Sequence, residues 1–302
     1  MLAYLNGKIL PYDQATLPVW DFGFTMGVTV TEQLRTFAGK IHLLEDHLTR
    51  LRNGLEIVGI KSPVSFSDLS EIAQQLVEEN AAEIPSGSDM NLGICFTPGA
   101  SANATPADFE MTGEPTVLVY TRELSFANWA NHYAAGISLS TVDYREIPDA
   151  CVPSQLKCRS RMHYYLAEKQ AREKHAGSRA LLLNMDGNVA ESTIASIVMC
   201  DGETMIAPPP SDVLPGVSLQ QAERLAAGWG IKLIRRDIAI DELKNAKEVM
   251  WLSTSVCALP VTRIDGTQIG QAKPGPLFSK LIQTWSDEVK VDIIQQAQNL
   301  GR

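Results

Sequence analysis

Two hydrophobic periods alternate along this chain, and that alternation confines it to a fold of mixed α and β structure. The first segments read as strand, turn, strand: Ala3 to Leu5, the Asn6-Gly7 turn, then Lys8 to Leu10. Val28 to Phe37 reads as a longer strand, and Ala38-Gly39 folds it back toward Ile41. Leu44, Leu48, Leu51, Leu55 and Val58 then recur at helical spacing, which predicts a helix from Leu43 to Val58. A second amphipathic helix is predicted over Ser67 to Glu83, with Ser67 as its cap. Strands follow at Asn91 to Phe96 and Thr116 to Tyr120. The Gly-, Ala-, Pro- and Ser-rich stretch between them, Thr97 to Glu114, is expected to be a long loop of functional use.

A composition change divides the chain into unequal parts: residues 1–122, a connection over 123–133, and a larger domain over 134–302. The second part is expected to hold a strand at Ile137 to Tyr144 and a helix at Ser160 to Ala176. Apolar strands at Arg179 to Asn184 and Ile194 to Cys200 flank the Asp186-Gly187 turn. A helix is expected at Leu219 to Ala227, and one last helix over Leu277 to Gln298. At 302 residues, roughly 75% of the unfolded surface can be buried without disulfides. The five scattered cysteines carry no metal-ligand spacing, so no metal is expected, and reduced thiols in a cytoplasm fit them best. The net charge of -9 argues against nucleic acid as the main partner. No apolar run reaches the ~20 residues of a membrane span, and the N-terminus meets a turn too early to read as a signal peptide.

Three short signals carry chemistry. Lys157 stands in Ser154-Gln-Leu-Lys-Cys-Arg, just ahead of a helix. Its amine is a nucleophile only when deprotonated, a state favoured by burial and by cations such as Arg159 and Arg161. Glu191 follows a tight turn in Asp186-Gly-Asn-Val-Ala-Glu-Ser, where a strand edge can present a lone carboxylate to a cleft. Leu214-Pro-Gly-Val-Ser218 opens a helix, with Ser218 and Gln221 spaced as a capping box. Gly216 lets the backbone approach a ligand, and the N–H groups of Val217 and Ser218 suit a phosphate. Read singly, each has a bland alternative: a surface lysine, a solvated turn glutamate, a capped helix. Read together, an imine-forming amine, a carboxylate and a phosphate-binding helix start are what pyridoxal phosphate (PLP) requires.

The chain resembles the fold-type IV PLP enzymes, or class IV aminotransferases, which include branched-chain and D-amino acid aminotransferases and aminodeoxychorismate lyase. Six segments carry the resemblance in family order: Asp21-Phe-Gly-Phe-Thr-Met-Gly-Val, His47-Leu-Thr-Arg50-Leu51, Lys157, Gly187-Asn-Val-Ala-Glu191-Ser, Leu214-Pro-Gly-Val-Ser218, and Ser253-Thr-Ser-Val-Cys-Ala-Leu-Pro-Val-Thr-Arg-Ile-Asp265. The resemblance implies an α+β, two-domain fold like that of D-amino acid aminotransferase, and a homodimer. It implies that Lys157 forms the Schiff base and moves the substrate proton. It further implies that Glu191 pairs with the pyridine nitrogen, and that Arg50, Val217, Ser218 and Thr254 hold the phosphate. A guanidinium at Arg50 matches a phosphate in bidentate geometry.

The departures concern substrate. The position of the family's usual tyrosine, which supports the cofactor's phenolic oxygen, is Met162, with Tyr164 and Tyr165 as the candidates to replace it. Ser196 stands at the family's asparagine. Pro98 stands where many D-amino acid aminotransferases carry a carboxylate-binding arginine. Arg35, Arg159, Arg161 and Ser255 are the substrate-contact candidates. The expected reaction moves an amino group between an amino acid, of branched-chain or D type, and a 2-oxo acid. A lyase releasing pyruvate from aminodeoxychorismate and a non-catalytic PLP-fold binding protein are the alternatives.

Overall fold

The computed structural model describes residues 1–100 and 113–301. The middle of the predicted Thr97 to Glu114 loop lies outside the described residues. The chain divides into two compact units: residues 1–124 with 156–160, and residues 125–155 with 161–302.

The first unit contains strands β1 (Leu2–Leu5), β2 (Lys8–Pro11), β3 (Val30–Phe37), β4 (Lys40–Ile41), β5 (Met90–Thr97) and β6 (Thr116–Glu123). They form one antiparallel sheet in the order β2-β1-β6-β5-β3-β4. A short helix α1 (Phe22–Thr25) is capped by Asp21, whose carboxylate accepts from the Gly23 amide and from the hydroxyls of Thr97 and Thr116. Helices α2 (Leu44–Val58) and α3 (Phe66–Asn80) bury their apolar stripes on the sheet: Leu48, Leu51 and Leu55 from one, Leu69, Ala73 and Leu76 from the other. Ser65, not Ser67, caps α3, since its side chain accepts from the Asp68 amide at 3.0 Å. This choice seats Leu69 and Leu76 on the core face. At the far end, Asn80 exchanges two hydrogen bonds with the backbone of Leu2 and donates to Thr121, tying α3 to β1 and β6.

The second unit contains α4 (His132–Ala135), β7 (Ile137–Arg145), α5 (Met162–Lys174), β8 (Arg179–Leu183), β9 (Val189–Ser192), β10 (Ser196–Cys200), β11 (Thr204–Ala207), α6 (Val217–Ala227), β12 (Lys232–Arg235), α7 (Ile240–Lys244), β13 (Glu248–Ser253), β14 (Cys257–Ile264) and β15 (Thr267–Gln268). The sheet runs β12-β11-β10-β13-β14-β7-β8-β9, with β15 paired to β14. A Ser192–Ala195 bridge brings β9, the last strand of that path, back beside β10. Every residue of β9 and β10 is buried, as expected of strands covered on both faces. The predicted final helix is two: α8 (Pro276–Val289) and α9 (Ile293–Leu300). Lys290 adopts a left-handed conformation that ends α8, and Asp292 accepts from the Gln295 amide to start α9.

Candidate active site

The candidate residues fall in both units, and each half has its own geometry. In the first unit, β3 places Glu32 fully buried against α2. Arg50 grips it with two bonds, Nε to Oε1 at 2.7 Å and Nη2 to Oε2 at 2.8 Å. His47 Nδ1 lies 2.7 Å from Glu32 Oε2. His47 and Arg50 are three apart on a helix, so both present to the same strand. Burial alone would raise the Glu32 carboxyl, but Arg50 and His47 overcome it and hold the group well below the usual carboxylate range. An ionised carboxylate only accepts hydrogen bonds, so His47 carries its proton on Nδ1. Burial lowers the imidazole's pKa and keeps it neutral, against the pull of Glu32. Arg50 and Lys157 add to that lowering.

The Lys157 segment belongs to this first unit. The Lys157 carbonyl accepts from the Thr31 amide at 2.8 Å, one residue before Glu32. The Arg159 amide donates to Thr29 Oγ1 at 2.7 Å, and Ser160 Oγ to the Gly27 carbonyl at 2.7 Å. Leu156 packs on the α2 and β3 core. These anchors lay an otherwise irregular stretch along the start of β3, with Lys157 half-buried beside the Glu32 cluster. Arg159 is exposed and reaches Tyr120 Oη at 3.5 Å. Arg35 is fully buried: it donates to the Thr36 carbonyl, stacks on Phe37 and lies 3.8 Å from the Asp89 carboxylate. Its placement is that of an internal ion pair, which leaves Arg159, Arg161 and Ser255 as the more accessible substrate-contact candidates.

In the second unit, Glu191 stands on β9 and is 7% exposed. Its Oε2 accepts from the Leu214 amide at 3.2 Å, and its Oε1 from Tyr164 Oη at 2.5 Å. The loop that begins with Leu214 ends at the start of α6. That helix begins at Val217, earlier than predicted, with Gly216 as the cap and no side chain bonding its first turn. Ser218 therefore lies inside the first turn, not at the cap. Gln221 turns away to donate to Glu288 Oε1 at 2.7 Å, so the predicted capping box is not formed. The first-turn amides carry no side-chain cap, the donor set that a phosphate dianion suits. Gly216 lies close to Ser196: a Cβ there would meet Ser196 Oγ at 2.5 Å, and that hydroxyl would have to turn away.

Thr254 and Ser255 form the half-buried turn between β13 and β14. Ser255 lines a cavity of ≈ 240 Å³ with Trp129, Arg179, Ile194 and Trp251. Arg161 precedes α5 with its guanidinium 5.8 Å from the Tyr164 ring. Met162 and Tyr165 are 71% and 69% exposed, whereas Tyr164 turns inward to Glu191. Glu32 and Tyr164 are the two partners whose roles the sequence did not disclose. The only local hint was a His-x-x-Arg pair on one helix face.

Residues 29–264 match the Amino-transferase class IV family, and the chain belongs to it. The chain is 26% identical over 285 residues to a D-alanine aminotransferase of Bacillus licheniformis, covering 94% of this chain and 95% of that one. It is also 26% identical over 293 residues to a D-alanine aminotransferase of Listeria monocytogenes, covering 96% of each. Its fold is similar to that of a branched-chain aminotransferase from the archaeon Thermoproteus uzoniensis, solved with norvaline. That similarity has a TM-score of 0.83 at 20% identity, covering 99% of this chain and 97% of the other. A further branched-chain amino acid aminotransferase, solved with pyridoxamine 5'-phosphate, has a TM-score of 0.86 at 23% identity, covering 95% of this chain and 93% of that one. The protein is thus an aminotransferase of class IV, a family of PLP enzymes.

Proposed function

We propose that the chain is a PLP-dependent aminotransferase that moves an amino group between a branched-chain or D-type amino acid and a 2-oxo acid, using Lys157 as the cofactor-bearing amine. One observation carries this reading. A single loop holds Glu191 through its first amide, at Leu214, and ends in the uncapped start of α6. A carboxylate for a ring nitrogen and amides for a phosphate thus lie at the two ends of five residues, as the donor set of PLP demands. When bound, PLP supplies the electron sink that lets a Cα–H bond ionise.

The chain's own residues do the rest. Glu191 holds a proton at the pyridine nitrogen, and the amides of Val217 and Ser218, with Thr254, receive the phosphate. Arg50 stands with its planar fork fixed by Glu32 and adds a cation for that phosphate. Lys157 takes and returns the substrate proton. Arg159, Arg161 and Ser255 are the substrate-contact candidates. The reading includes a homodimer in a reducing cytoplasm, and the five cysteines are all free thiols. Among the described residues no helix is long and apolar enough to cross a membrane.

A half-reaction screen tests the reading. The PLP-loaded protein is mixed with single D- and L-amino acids, and the release of 2-oxo acid is followed with the conversion of cofactor to pyridoxamine phosphate. Conversion by branched-chain or D-amino acids is expected. No conversion by any amino acid, together with pyruvate release from aminodeoxychorismate, would replace transfer by elimination.

A further inference from the structure

Glu191 has an unusual neighbour for a carboxylate that is to hold a cofactor. Tyr164 stands on the first turn of α5 and packs its ring against the cluster of Val142, Ala167, Ala171, Ala180 and Leu182. Its hydroxyl lies 2.5 Å from Glu191 Oε1 and 3.4 Å from Glu146 Oε1. A phenol has one proton to give. The two distances assign that proton to Glu191, with Glu146 as the more distant of two carboxylates flanking the same hydroxyl. Burial, then the charges of Glu191 and Glu146, raise the phenol's pKa well above its ordinary value. Tyr164 is therefore a hydrogen-bond donor throughout the physiological range. The Leu214 amide donates to the other oxygen, Oε2. Both carboxylate oxygens thus have a donor from the protein, and the plane of the group is fixed from two sides.

We infer that Tyr164 is a positioning residue for Glu191: its phenol orients the carboxylate toward the cofactor's ring nitrogen and draws off part of its negative charge. The inference rests on the proposed role of Glu191. It also reassigns Tyr164 within the site. The sequence offered this residue as a replacement for the tyrosine at the cofactor's phenolic oxygen. The fold turns it instead to the carboxylate that serves the nitrogen side of the ring. Met162 at the usual tyrosine position is thus accompanied by a donor two residues on, directed at a different atom. Arg161, with its guanidinium 5.8 Å from the Tyr164 ring, steadies the same side chain.

The test uses Tyr164→Phe, Glu191→Gln and the double variant, prepared without cofactor and titrated with PLP. Three quantities are read: the PLP dissociation constant, the absorption maximum of the bound cofactor, and the melting temperature before PLP is added. Phenylalanine keeps the ring on its apolar contacts and removes only the hydroxyl. Losing one charge-assisted bond should weaken PLP binding about tenfold and move the absorption maximum. In the Glu191→Gln background the same change should have no further effect on either quantity. A merely structural tyrosine would lower the melting temperature alike in both backgrounds and leave the absorption maximum in place. Affinity within about twofold of wild type for Tyr164→Phe, or additive losses in the double variant, would overturn the inference while leaving Glu191 in its role. An unchanged affinity and spectrum for Glu191→Gln itself would overturn both.

Discussion

At the scale of single residues, the best-defined chemistry is the Glu32, His47 and Arg50 cluster. Two side chains share one buried carboxylate: the Arg50 guanidinium, and the His47 imidazole, whose pKa burial holds below its ordinary value. This has a measurable sign. The folded pKa of His47 lies below its ordinary value of 6.5. The unfolded chain therefore takes up a proton that the folded chain refuses as pH falls below that value, and stability is lost in that direction. Glu32 is also held below its ordinary value, but it contributes loss only below about pH 4.5, so the interval between pH 7 and 5 isolates the histidine. His47→Asn, which keeps a donor for Glu32, should show a shallower fall in urea midpoint from pH 7 to 5 than wild type. Parallel slopes would show that His47 does not resist protonation in the fold.

At the scale of elements, the sequence disclosed what local pattern controls and missed what distant pairing controls. The Lys157, Glu191 and Leu214–Ser218 signals were legible because turns, helix starts and lone ionisable residues are local features. The Glu32–Arg50 and Tyr164–Glu191 pairs join residues 18 and 27 apart in sequence, on elements whose faces only tertiary packing brings together. α6 starts ahead of its predicted position because Ser218 and Gln221, though spaced as a capping box, do not form one: Gln221 donates to Glu288. The apolar period of the last segment continues past Lys290, so the pattern predicts one helix where the left-handed residue makes two. Gly54 shows the opposite case, a residue that is locally unfavourable and tertiarily required. A glycine in mid-helix costs about 1 kcal/mol against alanine. Here it lets α2 approach β3, because a Cβ would lie 2.7 Å from Val30 Cγ1. Gly54→Val should therefore destabilise the protein by about 1–3 kcal/mol through overpacking. It should also weaken PLP binding, since α2 carries Arg50 against Glu32. An unchanged urea midpoint would show that α2 has room to spare.

At the scale of the whole molecule, candidate groups for one cofactor come from segments scattered from residue 50 to residue 254, and the matched family region spans 29–264. The chain crosses back after its first unit is complete: residues 156–160 leave the second unit's sequence and anchor on β3. No local pattern announces that return, because its anchors are backbone carbonyls and hydroxyls with no side-chain period of their own. The proposed cofactor, binding the folded chain and not the unfolded one, is expected to stabilise the fold. At a PLP concentration 100 times its dissociation constant the gain is about 2.7 kcal/mol, read as a rise of a few degrees in melting temperature. No rise at saturating PLP would contradict a folded-state site. The central claim is that Lys157 bears the cofactor, and it has a direct measurement. The PLP-loaded protein is reduced with borohydride, digested, and its peptides mapped by mass. A phosphopyridoxyl group on Lys157 is the predicted result; the group on any other lysine, or on none, would contradict the account.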